Sequence, residues 1–242
     1  MDFHTDGNDY FPDDFNGPLI AAALTVEFIG ALVANGIVLI ATLIQYKSFK
    51  VPSTMLFTSL IIIHLIISVL FVLLWIISAA SEEWIYGTTI EQKIAACTFH
   101  GCVLNYGIWI IFGTITAISV DRCIFIVKPN FYKKFMKPKV TLTLIALIWV
   151  VALILDTASL YGFGEVAYGE YGACVPRFEG EIIYVVITIT LVIMKICIII
   201  VTSIWTYCFT RKFIQEHSQL ADDVYVSRNR RLIGIFCAML IG

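Results

Sequence analysis

Five long apolar runs alternate with short polar connections along this chain, and that alternation predicts its architecture. The runs fall near residues 18–44, 54–79, 97–127, 140–161 and 181–208. As a helix rising about 1.5 Å per residue, each can cross most or all of a hydrocarbon core of about 30 Å. The stretch from Cys97 to Val120 carries no Asp, Glu, Lys or Arg and then closes on Asp121-Arg122. A sixth apolar run opens near Leu232 and reaches Gly242, over about half the length a span needs. The sequence is therefore expected to be a piece of a longer chain. Short connections predict that successive helices are antiparallel neighbours in one bundle. No internal repeat is visible, which weighs against transporter architectures built from duplicated halves.

Composition moves this from a pattern to a class. Of 242 residues 60% are hydrophobic and 14% charged, with mean hydropathy +0.90, whereas soluble domains run at about 45–50% apolar and about 25% charged. The fold class is all-α, a polytopic transmembrane helix bundle. Net charge is -2, but its distribution says more. Lys47, Lys50, Lys128, Lys133, Lys134, Lys137, Lys139, Arg211, Lys212, Arg228, Arg230 and Arg231 follow the first, third and fifth runs. The opposite side has Lys93 and Arg177 among many acids. Basic loops stay cytoplasmic, so the N-terminus is expected outside and Asp121-Arg122 inside.

Residues 1–17 have neither a positive n-region nor an apolar h-region. They read as a short acidic extracellular tail and not as a cleaved signal. No metal cluster, phosphate loop or nucleophile–base pair is visible, so no enzyme activity is expected. The absence of a basic run or nucleic-acid motif argues against a nucleic-acid partner.

Two groups of residues carry candidate chemistry. Cys97 and Cys174 both fall on the oxidising side, where a disulfide between them is chemically allowed. Cys102, about one turn deeper, competes for the same partner. Cys123, Cys197, Cys208 and Cys237 read as small packing residues. Ionisable groups inside spans are costly and usually paired or facing a cavity, which singles out Glu27, His64, Asp156 and Lys195. Asp156 and Lys195 are expected to pair with each other, or Lys195 to meet an acidic ligand group. A neutral His64 is expected to hydrogen-bond Asn35 as a core polar contact. Taken as the lining of one pathway, the four residues would instead suggest a transporter or channel.

The motifs in order resemble the rhodopsin-like (class A) G protein-coupled receptors. Asn35 in ANGIV looks like the asparagine of that family's first helix, and Trp84-Ile85-Tyr86-Gly87 like the signature of its first extracellular loop. Cys97, 25 residues before Arg122, and Cys174 match its helix-to-loop disulfide. Asp121-Arg122-Cys123 resembles Asp-Arg-Tyr, and Pro129 and Tyr132 match Pro-x-x-Tyr. Trp149 fits the fourth-helix tryptophan, and Tyr207 the tyrosine near the inner end of the fifth. The chain departs from the pattern at Cys123, at His64 in place of the sodium-binding aspartate, at Asn130, and in a fifth helix without proline.

The resemblance implies a seven-helix receptor of which five helices and the start of the sixth are present. It implies a multi-pass plasma-membrane protein that carries an extracellular signal to a heterotrimeric G protein, with homodimerisation a further expectation. It also gives Asp121, Arg122, Pro129, Tyr132 and Tyr207 the activation switch and G protein contact, with Asp121 holding the Arg122 guanidinium until activation. His100, Leu104, Asn105, Asp156 and Lys195, with Trp109 beside them, are the candidate ligand pocket. Leu104 stands where monoamine receptors carry an aspartate, and His100 where visual pigments hold a counter-ion, so a monoamine is disfavoured. No cofactor is implied; retinal stays open, because the lysine that bears it in opsins belongs to a seventh helix. A fragment that no longer signals and acts by dimerising with other receptors is the remaining alternative.

Overall fold

The computed structural model describes residues 16–44, 51–158, 165–168, 173–177 and 182–217. The acidic tail, the sixth apolar run from residue 232 and the polar stretch from residue 218 lie outside them.

Among the described residues five helices are long and apolar enough to cross a membrane. The first runs Gly17–Ile44. The second covers Pro52–Ile67, passes through a π-helical turn at Ser68–Val72, and continues as Leu73–Ser81. The third is Ile90–Val127, the fourth Pro138–Ala158 and the fifth Ile182–His217. Between the third and fourth a short helix, Pro129–Phe135, carries the loop. Two strands, β1 (Glu165–Tyr168) and β2 (Cys174–Arg177), form an antiparallel pair with Tyr168 opposite Cys174 and Val166 opposite Pro176.

Two helices overrun their apolar windows for local reasons. The third begins at Ile90 because Thr89, in extended conformation, accepts the Gln92 N–H at 3.3 Å and caps the first turn. Glu91 in that turn also suits the positive end of the helix. The fifth continues past Arg211 and Lys212, since charges end a hydropathy window without breaking backbone hydrogen bonds. The second ends at Glu82, in the left-handed region with φ 52°. Its carboxylate accepts the Gly17 N–H at 3.3 Å, fixing the start of the first helix to the end of the second.

The third helix is the hub, packed against the second, fourth and fifth helices and against the hairpin. Ile63, Trp109, Ile110 and Ala152 form the buried centre, flanked by Trp149 and Leu191. Large apolar side chains such as Val26, Ile29, Val33, Ile37 and Ile40 point outward along the first helix. In water such a surface would aggregate; against lipid tails it is the expected face.

Candidate functional site

At one end of the bundle the chain builds a tight lid. Cys97 and Cys174 are joined by a disulfide with Cα atoms 5.3 Å apart, and both are fully buried. Cys102 is free. The hairpin can press this close because residue 101 is glycine: a Cβ there would run into Val166 Cγ1. Trp84 is also buried in this cluster, edge-on to Tyr86 at 5.0 Å and to His100 at 5.5 Å. The tryptophan can fold under the loop because the chain turns at Gly87, whose φ of +117° suits glycine. Tyr86 donates its hydroxyl to the Leu74 carbonyl at 2.8 Å, and burial pushes its phenol above the ordinary value.

His100 belongs to this lid and does not line an open cavity. It is fully buried and stacked on Phe71 at 4.1 Å, with Nε2 3.1 Å from the Phe71 carbonyl. A carbonyl only accepts, so Nε2 carries the proton in this contact. Phe71 sits in the π-helical turn of the second helix, which has no proline to announce it. His100 therefore ties the third helix to an irregularity that hydropathy does not reveal.

In the lid-side half of the bundle, Asn105 Nδ2 donates to Asp156 Oδ1 at 2.9 Å, joining third and fourth helices. Asp156 is 6% exposed. Tyr184 of the fifth helix donates weakly to the Leu155 carbonyl at 3.4 Å beside this pair. Leu104, next to Asn105, is half-buried. The expected Asp156–Lys195 ion pair is not formed: Lys195 Nζ lies over the Trp109 ring at 4.3 Å from its centroid. Asp156 turns instead to the neighbouring amide on the third helix, and the long Lys195 side chain covers an aromatic face.

The expected His64–Asn35 contact is also not formed. Asn35 Nδ2 donates to the Ala31 carbonyl of its own helix at 2.9 Å, so the first helix satisfies that group locally. Glu27 is exposed on the first helix. Glu27, His64, Asp156 and Lys195 thus have separate surroundings, and no shared pathway joins them among the described residues.

The opposite end of the third helix carries the second constellation. Asp121 is 1% exposed and accepts a 2.6 Å hydrogen bond from Ser53 Oγ of the second helix. Tyr132 of the short loop helix, also buried, faces Ser53 and Asp121. Burial holds its phenol above the ordinary value, with the Asp121 charge adding to the rise, so it stays a neutral hydroxyl. Pro129 opens the loop helix at its first turn, where a missing N–H costs nothing.

Arg122 is not held by Asp121, which corrects the expected pair. Its guanidinium lies over Phe57 at 5.6 Å from the ring centroid. Successive residues on a helix point about 100° apart, so neighbours i and i+1 do not face each other. Tyr207 is exposed on the fifth helix and is not brought to Arg122. Nearer the bundle centre, Ser119 and Thr202 join third and fifth helices at 2.7 Å. Thr202 gives its proton to the Ile198 carbonyl, so Ser119 is the donor between them. Trp149 Nε1 donates to Ser59 Oγ at 3.0 Å, tying fourth to second. Sequence reasoning passed over Ser53, Ser59, Ser119 and Thr202, because serine and threonine in apolar helices commonly bond their own backbone.

A disulfide-tethered loop at one end, a buried Asp–Ser–Tyr cluster beside an arginine laid over Phe57 at the other, and one long helix joining them define a receptor-type membrane bundle. The chain belongs to the rhodopsin family of seven-transmembrane receptors, whose family model matches residues 34–241. It is 25% identical over 167 residues to a chemerin-like receptor 1 of Rattus norvegicus, covering 65% of this chain and 42% of that protein. It is 31% identical over 121 residues to a Gq-coupled rhodopsin of Mizuhopecten yessoensis, covering 49% of this chain and 23% of the other. An octopamine receptor of Heliothis virescens is 24% identical over 148 residues, 60% of this chain and 29% of that protein. The chain thus spans less than half the length of these curated relatives. The squid rhodopsin crystal structure superposes with a TM-score of 0.75 at 19% identity, covering 96% of this chain and 65% of that one, which shows the fold.

Proposed function

We propose that this chain is part of a plasma-membrane receptor that carries an extracellular signal to a heterotrimeric G protein. Its N-terminus and disulfide lid lie outside, and Asp121, Arg122 and the lysine-rich loop helix lie in the cytoplasm. The observation that carries the reading is the cluster of Ser53, Asp121 and Tyr132 beside Arg122. The carboxylate is engaged by Ser53 of the second helix and faced by Tyr132 of the loop helix, while the guanidinium lies against the Phe57 ring. Such a contact at a part-exposed site is worth about 0.5–1 kcal/mol, so an incoming partner displaces it at small cost. Rearranging the cluster moves second helix, third helix and loop helix together, the kind of two-state element that a switch requires.

The agonist enters beneath the lid and engages the lid-side half of the third helix around Leu104, Asn105 and Asp156. An amine finds no carboxylate at Leu104, so the octopamine receptor's ligand class is not carried over. The test is nucleotide exchange by purified G proteins on the full-length receptor in lipid nanodiscs, with Arg122→Ala as control. Exchange above background that Arg122→Ala removes supports the reading. Silence toward every G protein class, with a correctly folded receptor that only dimerises, would replace it with the non-signalling alternative.

A further inference from the structure

Lys195 lies in the apolar part of the fifth helix, 13 residues after Ile182 and 16 before Arg211. At 1.5 Å per residue that is about 20 Å from one end and about 24 Å from the first charge at the other. It is therefore close to the bilayer midplane, where an ionised group needs a partner or a polar cavity. The third helix has no acid between Glu91 and Asp121, and the fourth none before Asp156. Asp156 accepts from Asn105, and among the described residues no carboxylate lies within ion-pair distance of Lys195.

What surrounds Lys195 is a recess of about 180 Å³ between third, fourth and fifth helices. Its wall includes Trp109, Leu147, Ile148, Val151 and Leu155. Leu147 and Val151 are 57% and 43% exposed on the outer face of the fourth helix, so the recess opens sideways toward lipid. Among the described residues Lys195 is the charged group in its lining. We propose that this recess binds a single-chain carboxylate amphiphile, a long-chain fatty acid, that enters from the bilayer and sets its head group on Lys195 Nζ.

Charge and depth select this occupant. The anion must reach the midplane, which a phospholipid cannot do with its phosphate anchored at the interface about 15 Å away. A fatty acid has one chain and a small head, and its carboxylate gains a charge-assisted hydrogen bond where water is absent. The recess is smaller than the ~300–1,000 Å³ of drug-sized sites, so it holds the head-group end while the rest of the tail stays among lipid. This site does not depend on the signalling reading, and its test reads binding alone.

The experiment uses full-length receptor in phosphatidylcholine nanodiscs, labelled with a diazirine-bearing palmitic acid and mapped by peptide mass spectrometry. Labelling is expected on the third, fourth and fifth helices around the recess, competed by oleate but not by oleyl alcohol. Lys195→Met is expected to cut it about tenfold, near the 1.4 kcal/mol that a factor of ten represents, while Lys195→Arg retains it. Leu147→Trp, at an exposed rim position, fills the recess and lowers labelling even if Lys195→Met fails to fold. Equal competition by the alcohol, labelling indifferent to both substitutions, or labelling only elsewhere on the protein would overturn the proposal.

Discussion

Ser53 and Asp121, on different helices, share a 2.6 Å hydrogen bond in a site where the carboxylate is 1% exposed. Removing the hydroxyl leaves a buried carboxylate short of a donor, a loss of about 1–3 kcal/mol. Ser53→Ala is therefore expected to loosen this end of the third helix and raise ligand-independent G protein activation several-fold. Basal GTPγS binding at matched surface expression measures it. Unchanged basal activity would place Ser53 outside the switch.

Arg122 has a separable role, because its contact with Phe57 contributes little to folding. Arg122→Ala is expected to abolish nucleotide exchange while shifting the melting temperature by only about 1–2 °C, in keeping with a cost under about 1 kcal/mol. A thermal-shift assay beside the exchange assay separates the two effects. A large loss of stability would make the arginine structural.

The disulfide between Cys97 and Cys174 links positions 77 residues apart in sequence. Its removal by Cys97→Ser is expected to cost about 2–5 kcal/mol and sharply reduce folded protein at the cell surface. Cys102→Ser is expected to have little effect, since that thiol takes no part in the bridge. Non-reducing peptide mapping with surface immunostaining checks both.

Gly101 is the position against which the hairpin seats. Gly101→Leu is expected to displace Val166, slow formation of the bridge and lower expression about as much as Cys97→Ser. Wild-type expression and full disulfide formation in this variant would show that the hairpin can sit elsewhere.

Asn105 and Asp156 form a part-buried pair between third and fourth helices. A double-mutant cycle with Asn105→Ala and Asp156→Ala is expected to show a coupling of about 1–3 kcal/mol in thermal stability, as contacting residues in one network do. Additive effects would remove the pair from the bundle's framework.

The span pattern, the helical class and the Trp84, Gly87 and Cys97 landmarks of the lid were legible in the chain because each is a local, periodic or ordered-motif property. Apolar length alone meets the requirement of a bilayer, and Cys97, Trp84 and Gly87 stand in recognisable order. His100, by contrast, reads in sequence as a pocket residue, and Phe71, Gly101 and Val166 are not singled out there. Partner choice was less legible. Asp121 and Arg122 are adjacent in sequence and opposite in charge, yet they diverge on the helix surface and find Ser53 and Phe57. Asp156 and Lys195 attract on paper, but one meets Asn105 and the other Trp109.

By itself, the sequence determined that this is a multi-pass helical membrane protein with a receptor's order of motifs, because hydropathy and spacing are written residue by residue. Only the tertiary structure decided which polar group answers which. That depends on how far each helix is rotated about its axis, on a π-helical turn that shifts the register around Phe71, and on a glycine that lets a hairpin close over Cys97. Apolar membrane helices carry little sequence periodicity to fix that rotation, so packing between them sets it.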